Sequence, residues 1–386
     1  MDRRAVPAKT GWAVFLERLT ATDARLGVAV AGLGLLAGGL VAALAGGSPL
    51  GLFRALLQAA TGWDAARQVW NIRYVGEWLA VATPLILTGL SMGFAARAGL
   101  FNIGAEGQYI AGLTAAQFAA LYLPPVPVLH AFLCVAAALA AGAVWGGLAG
   151  WLKARFGASE VVATIMLNYL AFYLSRWLTQ AIPGATTYRT PAIPASAQLD
   201  AGFLKTLSGG SNLGWGFFAA LGAALLFWWL LERTRMGYAL RASGLNPDAA
   251  MAAGINPGRV GIFAMCLAGA FAGLAGASVA LGSFNHGRVL SEFDNYGFMG
   301  IAVALAGGAR GFGVAAAGLF FGLLASAQTL MQGQGMPREL AVIVSGIVVI
   351  LLSMKAGLGA LAGRLGGNAV EAPCDARPEP WEDNGG

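Results

Sequence analysis

Charge is scarce along this chain: Lys, Arg, Asp and Glu together make up 11% of its 386 residues. The usual equipment of catalysis is scarcer still. There are two histidines and three cysteines. Cys134 and Cys266 fall in apolar stretches and Cys374 near the C-terminus, so the spacing offers neither a disulfide framework nor a metal site. No Gly-Lys pair occurs anywhere, which excludes the GxxxxGK[ST] phosphate loop and any nucleotide hydrolysis built on it. The apolar stretches hold no paired carboxylates, histidine cluster or Ser/His constellation, which argues against an intramembrane enzyme. Nor does a chain of ionisable residues thread them, which argues against a proton relay. His130 and His286 fall at an outer helix end and in an outer loop, where neither suggests a ligand or an acid/base.

What the chain does have is apolar surface. Hydrophobic residues make up 58% of it, glycine occurs 57 times, and the mean hydropathy is +0.68. Several apolar runs are long enough to cross a hydrocarbon core of about 30 Å. The expected fold is an all-α polytopic membrane protein with about ten transmembrane or re-entrant helices. Spans are expected near 26–46, 75–95, 100–122, 127–151, 160–182, 213–232, 260–281, 295–309, 312–332 and 338–354. The eighth, short and glycine-rich, reads as a broken or re-entrant segment. With both termini in the cytoplasm, sixteen Lys and Arg residues lie in inside segments against seven outside, the bias that sets orientation. The net charge of +6 therefore belongs to loops beside spans, not to a nucleic-acid site. Residues 1–25 read as a cytoplasmic leader without a cleavage site, and 26–355 as the permeation domain. Residues 356–386 read as a cytoplasmic tail, disordered by composition. The outer segments 47–74 and 183–212 have room for short interfacial helices.

The most telling segment is the basic island from Glu232 to Arg259 in the loop 233–259. Asn246 suits a helix N-cap, Pro247 the first helical position, and Asp248 the positive helix start. Ala249, Ala250, Met251 and Ala253 continue the helix and are expected to form its contact surface for a partner, and Gly254 fits the left-handed position that ends it. A helix that short is not stable alone in water, so a soluble partner is expected to dock on it. A second block runs from Thr83 to Gly112. Pro84 is expected to kink or interrupt its span, and Asn102 to cap the helix carrying Glu106 and Gln108. With Arg97, these residues read either as a hinge or gate near the cytoplasmic mouth or as a structural knot. In the knot, which is favoured, Glu106 bonds to Arg97 or to helix-end amides. GxxxG spacings (Gly34/Gly38, Gly142/Gly146/Gly150, Gly269/Gly273, Gly318/Gly322) mark helix packing. Thr164, Asn168 and Tyr169, with Gln117 and Ser278 as weaker candidates, are expected to line a path for a neutral polar solute. The helix pairs around AARAG (Arg97) and GARGF (Arg310) echo one another faintly, as transporter repeats do.

Four stretches resemble permease subunits of bacterial ABC importers for simple sugars and nucleosides. They are GFAARAGLFNIGAEGQYIAG, EVVATIMLNYLAFYL (from Glu160), TRMGYALRASGLNPDAAMAAGIN (from Thr234) and YGFMGIAVALAGGARGFG (from Tyr296). The resemblance spans roughly residues 75–355, within a wider set that includes ribose and branched-chain amino acid permeases. It implies a bacterial inner-membrane subunit that pairs with a second permease subunit, sister or identical, and with two ABC ATPase subunits. An extracytoplasmic binding protein or lipoprotein would feed it. It also implies that Asn246–Gly254 is the ATPase-coupling helix, that ATP and Mg²⁺ sit in the ATPase, and that this chain binds no cofactor. Leu207-Ser208-Gly209-Gly210, which opens like the ATPase signature motif, reads as a turn on the outer face. A branched-chain amino acid permease would need groups that pair with a zwitterion. An ion-coupled secondary transporter or channel would need intramembrane charges and no docking helix.

Overall fold

A computed structural model describes residues 23–44, 46–65, 67–200, 202–284, 286–333 and 338–354. The expected tail, and the leader up to residue 22, lie outside the described residues. The chain opens with α1 (Asp23–Leu44) and α2 (Pro49–Thr61). A small hairpin follows, β1 (Trp63–Asp64) antiparallel to β2 (Val69–Trp70), then α3 (Arg73–Arg97) and α4 (Ala105–Tyr122). Next come α5 (Leu129–Phe156), α6 (Glu160–Gln180), the strand β3 (Arg189–Ala192) and α7 (Gly202–Leu207). The second half holds α8 (Trp215–Arg233), α9 (Arg235–Leu245), α10 (Pro247–Ala252) and α11 (Pro257–Gly282). Strand β4 (His286–Arg288) pairs antiparallel with β3, and α12 (Tyr296–Ala306), α13 (Gly311–Gly333) and α14 (Arg338–Ser353) complete the described chain.

Seven of these helices, α1, α3, α5, α6, α8, α11 and α13, are long and apolar enough to cross a membrane. The expected third, eighth and tenth spans fall short of that. Glu106, Gln108 and Gln117 make α4 too polar, α14 has 16 residues, and α12 has eleven, about 16 Å of helix. Among the described residues the chain is therefore a polytopic helical bundle, in which α12 is too short to cross. Segments 47–74 and 183–212 do hold short helices, α2 and α7. In the Leu207–Gly210 run, Leu207 ends α7 and Ser208–Gly210 form a turn, with Gly209 and Gly210 in the left-handed region.

Helix α3 is the axis of the bundle, buried continuously from Ala82 to Ala95. Pro84 does not interrupt it. The Thr88 hydroxyl lies 2.8 Å from the Pro84 carbonyl and 2.9 Å from that of Tyr296, bracing this stretch against α12. Glycine sets how closely the neighbours approach. Gly318 and Gly322 of α13 lie on Ile86 and Ala82 of α3, so that a methyl group at either position would overlap them. Gly142 and Gly146 of α5 face Gly269, Gly273 and Met265 of α11, backbone against backbone. Gly34 and Gly38 of α1 seat Val348 and Val344 of α14. The packing reading of the GxxxG pairs therefore holds. Without a hydrophobic drive between helices in lipid, such close approach is what dispersion requires.

The helix ends sort into two faces. At one, the ends of α3, α5 and α8 and the start of α11 gather around α9 and α10, with Arg97, Lys153, Arg233 and Arg241 among their residues. At the other lie the two small sheets and α7.

Replacing Gly142 or Gly273 with Leu should force α5 and α11 apart, costing at least the 1–3 kcal/mol typical of overpacking. Gly222→Leu on α8, where a methyl group meets nothing within 4 Å, should be neutral. Thermal unfolding and monodispersity of the purified chain in detergent check the contrast.

Candidate functional site

Two features stand out, a capped surface helix and the polar core behind it. Helix α10 forms as its residues dictate. The Asn246 side chain accepts from the N–H groups of Asp248 and Ala249, both at 3.0 Å, and Pro247 occupies the first turn. The end is a Schellman closure. Ile255 N–H reaches the Ala250 carbonyl, Gly254 N–H reaches that of Met251, and Gly254 has φ +81°. One expectation needs correcting. Ala250 is only 3% exposed and faces inward, so it seats the helix and is not part of its outer surface. Asp248, Ala249, Met251 and Ala253 are exposed, and Leu245 at the preceding corner is 89% exposed, an apolar knob that the sequence reading passed over.

The helix is keyed to the bundle. Glu232 at the end of α8 pairs with Arg97 of α3 at 2.9 Å and with Arg241 of α9 at 2.6 Å. Gly244 of α9 lies against Gly99 in the turn after α3, so closely that a methyl group on either would strike the other's backbone. Arg97 is thus bound to Glu232, and the alternative partner for Glu106 is excluded.

From Gly99 the chain turns back along α3 instead of starting a helix at once. Asn102 does not cap α4; Gly104 holds that position. Asn102 instead closes a buried triangle. Its Nδ2 donates to Ser91 Oγ (3.1 Å) and Gln108 Oε1 (2.9 Å), and its Oδ1 accepts from Gln108 Nε2 (3.0 Å) and the Gly104 N–H (3.1 Å). Because Ser91 lies nearly two helical turns before Arg97, Glu106 is deeper than its place in sequence suggested, and it is 0% exposed. Its two oxygens accept the N–H groups of Asn295 (2.9 Å) and Gly297 (2.6 Å), at the start of the broken helix α12. A methyl group at Gly297 would overlap the Glu106 backbone, so glycine is required there. The knot reading is thus the geometry seen, through the helix-end amides.

The expected path residues divide. Asn168 accepts from Gly107 N–H (2.8 Å) and donates to the Ile103 carbonyl (3.0 Å), while Thr164 is buried against Gly104. Both position the start of α4. Gln117 is buried too and accepts from Arg288 N–H at 2.9 Å. Tyr169, 50% exposed, packs edge-on to Phe293 at the chain's surface. Ser278 lines a cleft of about 310 Å³, with Glu77, Thr83, Asn212, Arg288, Asp294 and Tyr296. His130 is a satisfied core residue, bonded to Ser196 Oγ.

Sequence reasoning missed a cluster beside Glu106. Arg288 makes a bidentate pair with Asp294 at 2.6 and 2.8 Å, and Tyr109 O–H donates to Asp294 at 2.7 Å. Burial works against the Arg288 cation, but the Asp294 carboxylate outweighs it and raises its pKa above the ordinary arginine value. The only signal was two opposite charges six residues apart in an otherwise polar loop.

The described residues thus form a polytopic helical bundle that carries a capped surface helix. The family described as branched-chain amino acid transport system / permease component matches residues 74–353, and the chain belongs to it. It is the permease component of an ABC transporter, with no catalytic role of its own. The chain is 38% identical to the guanosine ABC transporter permease protein NupP of Bacillus subtilis, over 86% of this chain and 94% of that one. It is 33% identical to the nucleoside ABC transporter permease protein NupB of Lactococcus lactis, over 83% and 88%. With the glucose ABC transporter permease protein TsgB13 of Haloferax volcanii it shares 34% identity, over 72% and 75%.

Asn168→Ala should strand the buried Gly107 N–H and Ile103 carbonyl and cost about 1–3 kcal/mol. A lowered unfolding midpoint with unchanged substrate preference is expected; altered preference at full stability would instead make Asn168 part of the path.

Proposed function

We propose that this chain is the translocating subunit of an ATP-driven importer for nucleosides or simple sugars, driven through α10. It lies in a bacterial inner membrane with both termini in the cytoplasm, so that the basic face carrying α10 meets two ABC ATPase subunits. Residues 1–25 and 356–386 flank the permeation domain on that side. A second permease subunit and an extracytoplasmic binding protein or lipoprotein complete the assembly. ATP and Mg²⁺ belong to the ATPases.

One observation carries the reading: an exposed, doubly capped helix is fastened by Glu232 and Gly244 to the turn that leads into the buried polar core. Movement of Asn246–Gly254 under ATPase closure is passed to Arg97 and Gly99, then to the Asn102–Gln108 triangle, and so to Glu106 and α12. Arg97, Asn102, Glu106 and Gln108 act as the hinge, and Thr88 braces α3 beside Pro84. Left-handed residues bound α12 at both ends, Asn295 on one side and Gly308 and Ala309 on the other, where it can pivot.

The outer cleft supports a neutral cargo. Arg288 and Asp294 satisfy each other, and Glu77 is engaged by Arg73 and Asn212. No such pairing leaves a cation and an anion ready for a zwitterion. Ser278, Thr83 and Asn212 remain to meet hydroxyls or ring nitrogens, with Tyr296 as an aromatic wall. Guanosine and nucleosides are named for two of the relatives, which makes a nucleoside the first substrate to try.

Leu245→Asp and Met251→Asp should each weaken co-purification with the transporter's ATPase subunits by roughly 10–30-fold, the loss of about 2 kcal/mol expected at an interface hot spot. Uptake of radiolabelled guanosine should fall in parallel while folding is unchanged. If both variants bind ATPase and transport as the wild type does, the docking role is wrong; if ribose is taken up and guanosine is not, the cargo is a simple sugar and not a nucleoside.

A further inference from the structure

Pro247, the first residue of α10, also lines a small cavity of about 270 Å³. Its walls are mostly apolar, with Ala98, Leu100, Ala149, Pro257 and Met265 among them. Gly99, Ala154 and Pro247 on the lining are exposed, so the cavity opens to solvent. Pockets for drug-sized ligands run to roughly 300–1,000 Å³, so this one suits a single large side chain better than a free solute. The Lys153–Glu160 pair on its lining is closed at 2.8 Å, whereas the buried Ser243 hydroxyl has no hydrogen-bond partner among the described residues. The rim is basic. Ala154 and Gly258 both line the cavity, and a methyl group on Gly258 would lie 3.6 Å from that of Ala154. The residues next to them in the chain, Arg155 at the end of α5 and Arg259 at the start of α11, are exposed. Neither has an ion-pair partner among the described residues. One exposed carboxylate, Asp248 beside Pro247, stands against the two arginines.

This chain carries a segment of the complementary pattern. Glu379-Pro380-Trp381-Glu382-Asp383, outside the described residues, sets one aromatic side chain between acids. From Glu371 to Gly386 five acidic residues stand against a single arginine, Arg377. An aromatic anchor in a pocket, with opposite charges meeting at the rim, is how compact interfaces gain both affinity and register. The segment also departs from the right side of the bundle. Gly34 and Gly38 of α1 meet Val348 and Val344 of α14, so the two helices run antiparallel and α14 ends beside the start of α1. Gly27, Val28 and Leu352 there line one groove with Arg233 at the end of α8, on the face that holds α9 and α10. From Lys355 to Trp381 there are 27 residues, a reach of up to about 90 Å. A compact chain this long has a radius of gyration of about 21 Å, so the cavity is within range.

We propose that Trp381 inserts into this cavity with its ring N–H toward Ser243, while Glu379, Glu382 and Asp383 pair with Arg155 and Arg259. The segment so held covers the start of α10 and withholds that face from the ATPases, a consequence that rests on the docking role proposed for α10. The test uses the full-length chain in a neutral detergent with no ATPase present, so it succeeds or fails apart from that role. A fluorescent peptide of residues 371–386 is titrated and its anisotropy read. A chain carrying Trp381→Ala, Glu382→Gln and Asp383→Asn should bind the peptide at least 10-fold more tightly than the wild type, whose own segment fills the cavity. In that background Arg155→Gln with Arg259→Gln should weaken binding at least 10-fold, and Arg54→Gln, exposed on α2, should leave it unchanged. A peptide carrying Trp381→Ala should bind at least 10-fold more weakly than the native one. Equal binding to the wild type and the triple variant overturns the proposal, as does binding that ignores the two arginines. So does a Trp381→Ala peptide that binds as well as the native one, since charge alone would then account for it. If no chain binds the peptide, yet Arg155→Gln with Arg259→Gln weakens co-purification of the ATPase subunits, the cavity belongs to that partner and the proposal falls.

Discussion

A carboxylate and a helix start meet in the middle of this molecule, and each makes the other tolerable. Glu106 is fully buried, and a charge at membrane depth costs several kcal/mol unless it is partnered. Helix α12 begins beside it, where its first N–H groups have no preceding turn to satisfy them. Both oxygens of Glu106 accept those N–H groups, and the positive end of the helix faces the carboxylate. Remove either side and the other becomes an uncompensated polar group in an apolar interior. The position of α4, the break before α12 and the glycine at 297 all follow from keeping this contact.

Around it the bundle is arranged to be close-packed yet jointed. Glycine faces bring α5 to α11 and α13 to α3 at backbone distance, which makes those pairs rigid units. The joints lie elsewhere, in the extended stretch between Gly99 and Gly104 and at the left-handed residues flanking α12. The Asn102–Ser91–Gln108 triangle spans the first of these joints. Each of its three side chains has buried partners, which fixes their mutual geometry. Helix α10 lies at the edge of this system, reached through one shared glutamate and one pair of glycines.

The helix caps were legible because they are local. Asn246, Pro247 and Gly254 act within a few residues of themselves, and no distant contact was needed to place them. Apolar runs likewise marked most of the spans to within a few residues, since hydrocarbon thickness leaves little latitude. Burial of individual polar residues was not legible. Asn168 and Thr164 look in sequence like pathway residues, because a polar group in an apolar run points equally to a cavity or to an unsatisfied backbone group nearby. Only the approach of α6 to the start of α4 decides between them, and it chooses the backbone. The inward face of Ala250 and the exposure of Leu245 were hidden for the same reason: a six-residue helix has too few turns for its pattern to reveal which side is covered.

The basic island from Glu232 to Arg259 and the apolar runs around it determined, unaided, a membrane protein with a capped helix waiting for a partner. Those features are read over one or two helical turns, the range over which sequence acts directly. The tertiary structure alone decided that Glu106 belongs to α12, that Arg97 belongs to Glu232, and that Arg288, Asp294 and Tyr109 form one cluster. These partners are separated by up to 191 residues, and which charges meet across that distance depends on how the helices cross and where glycine lets them touch.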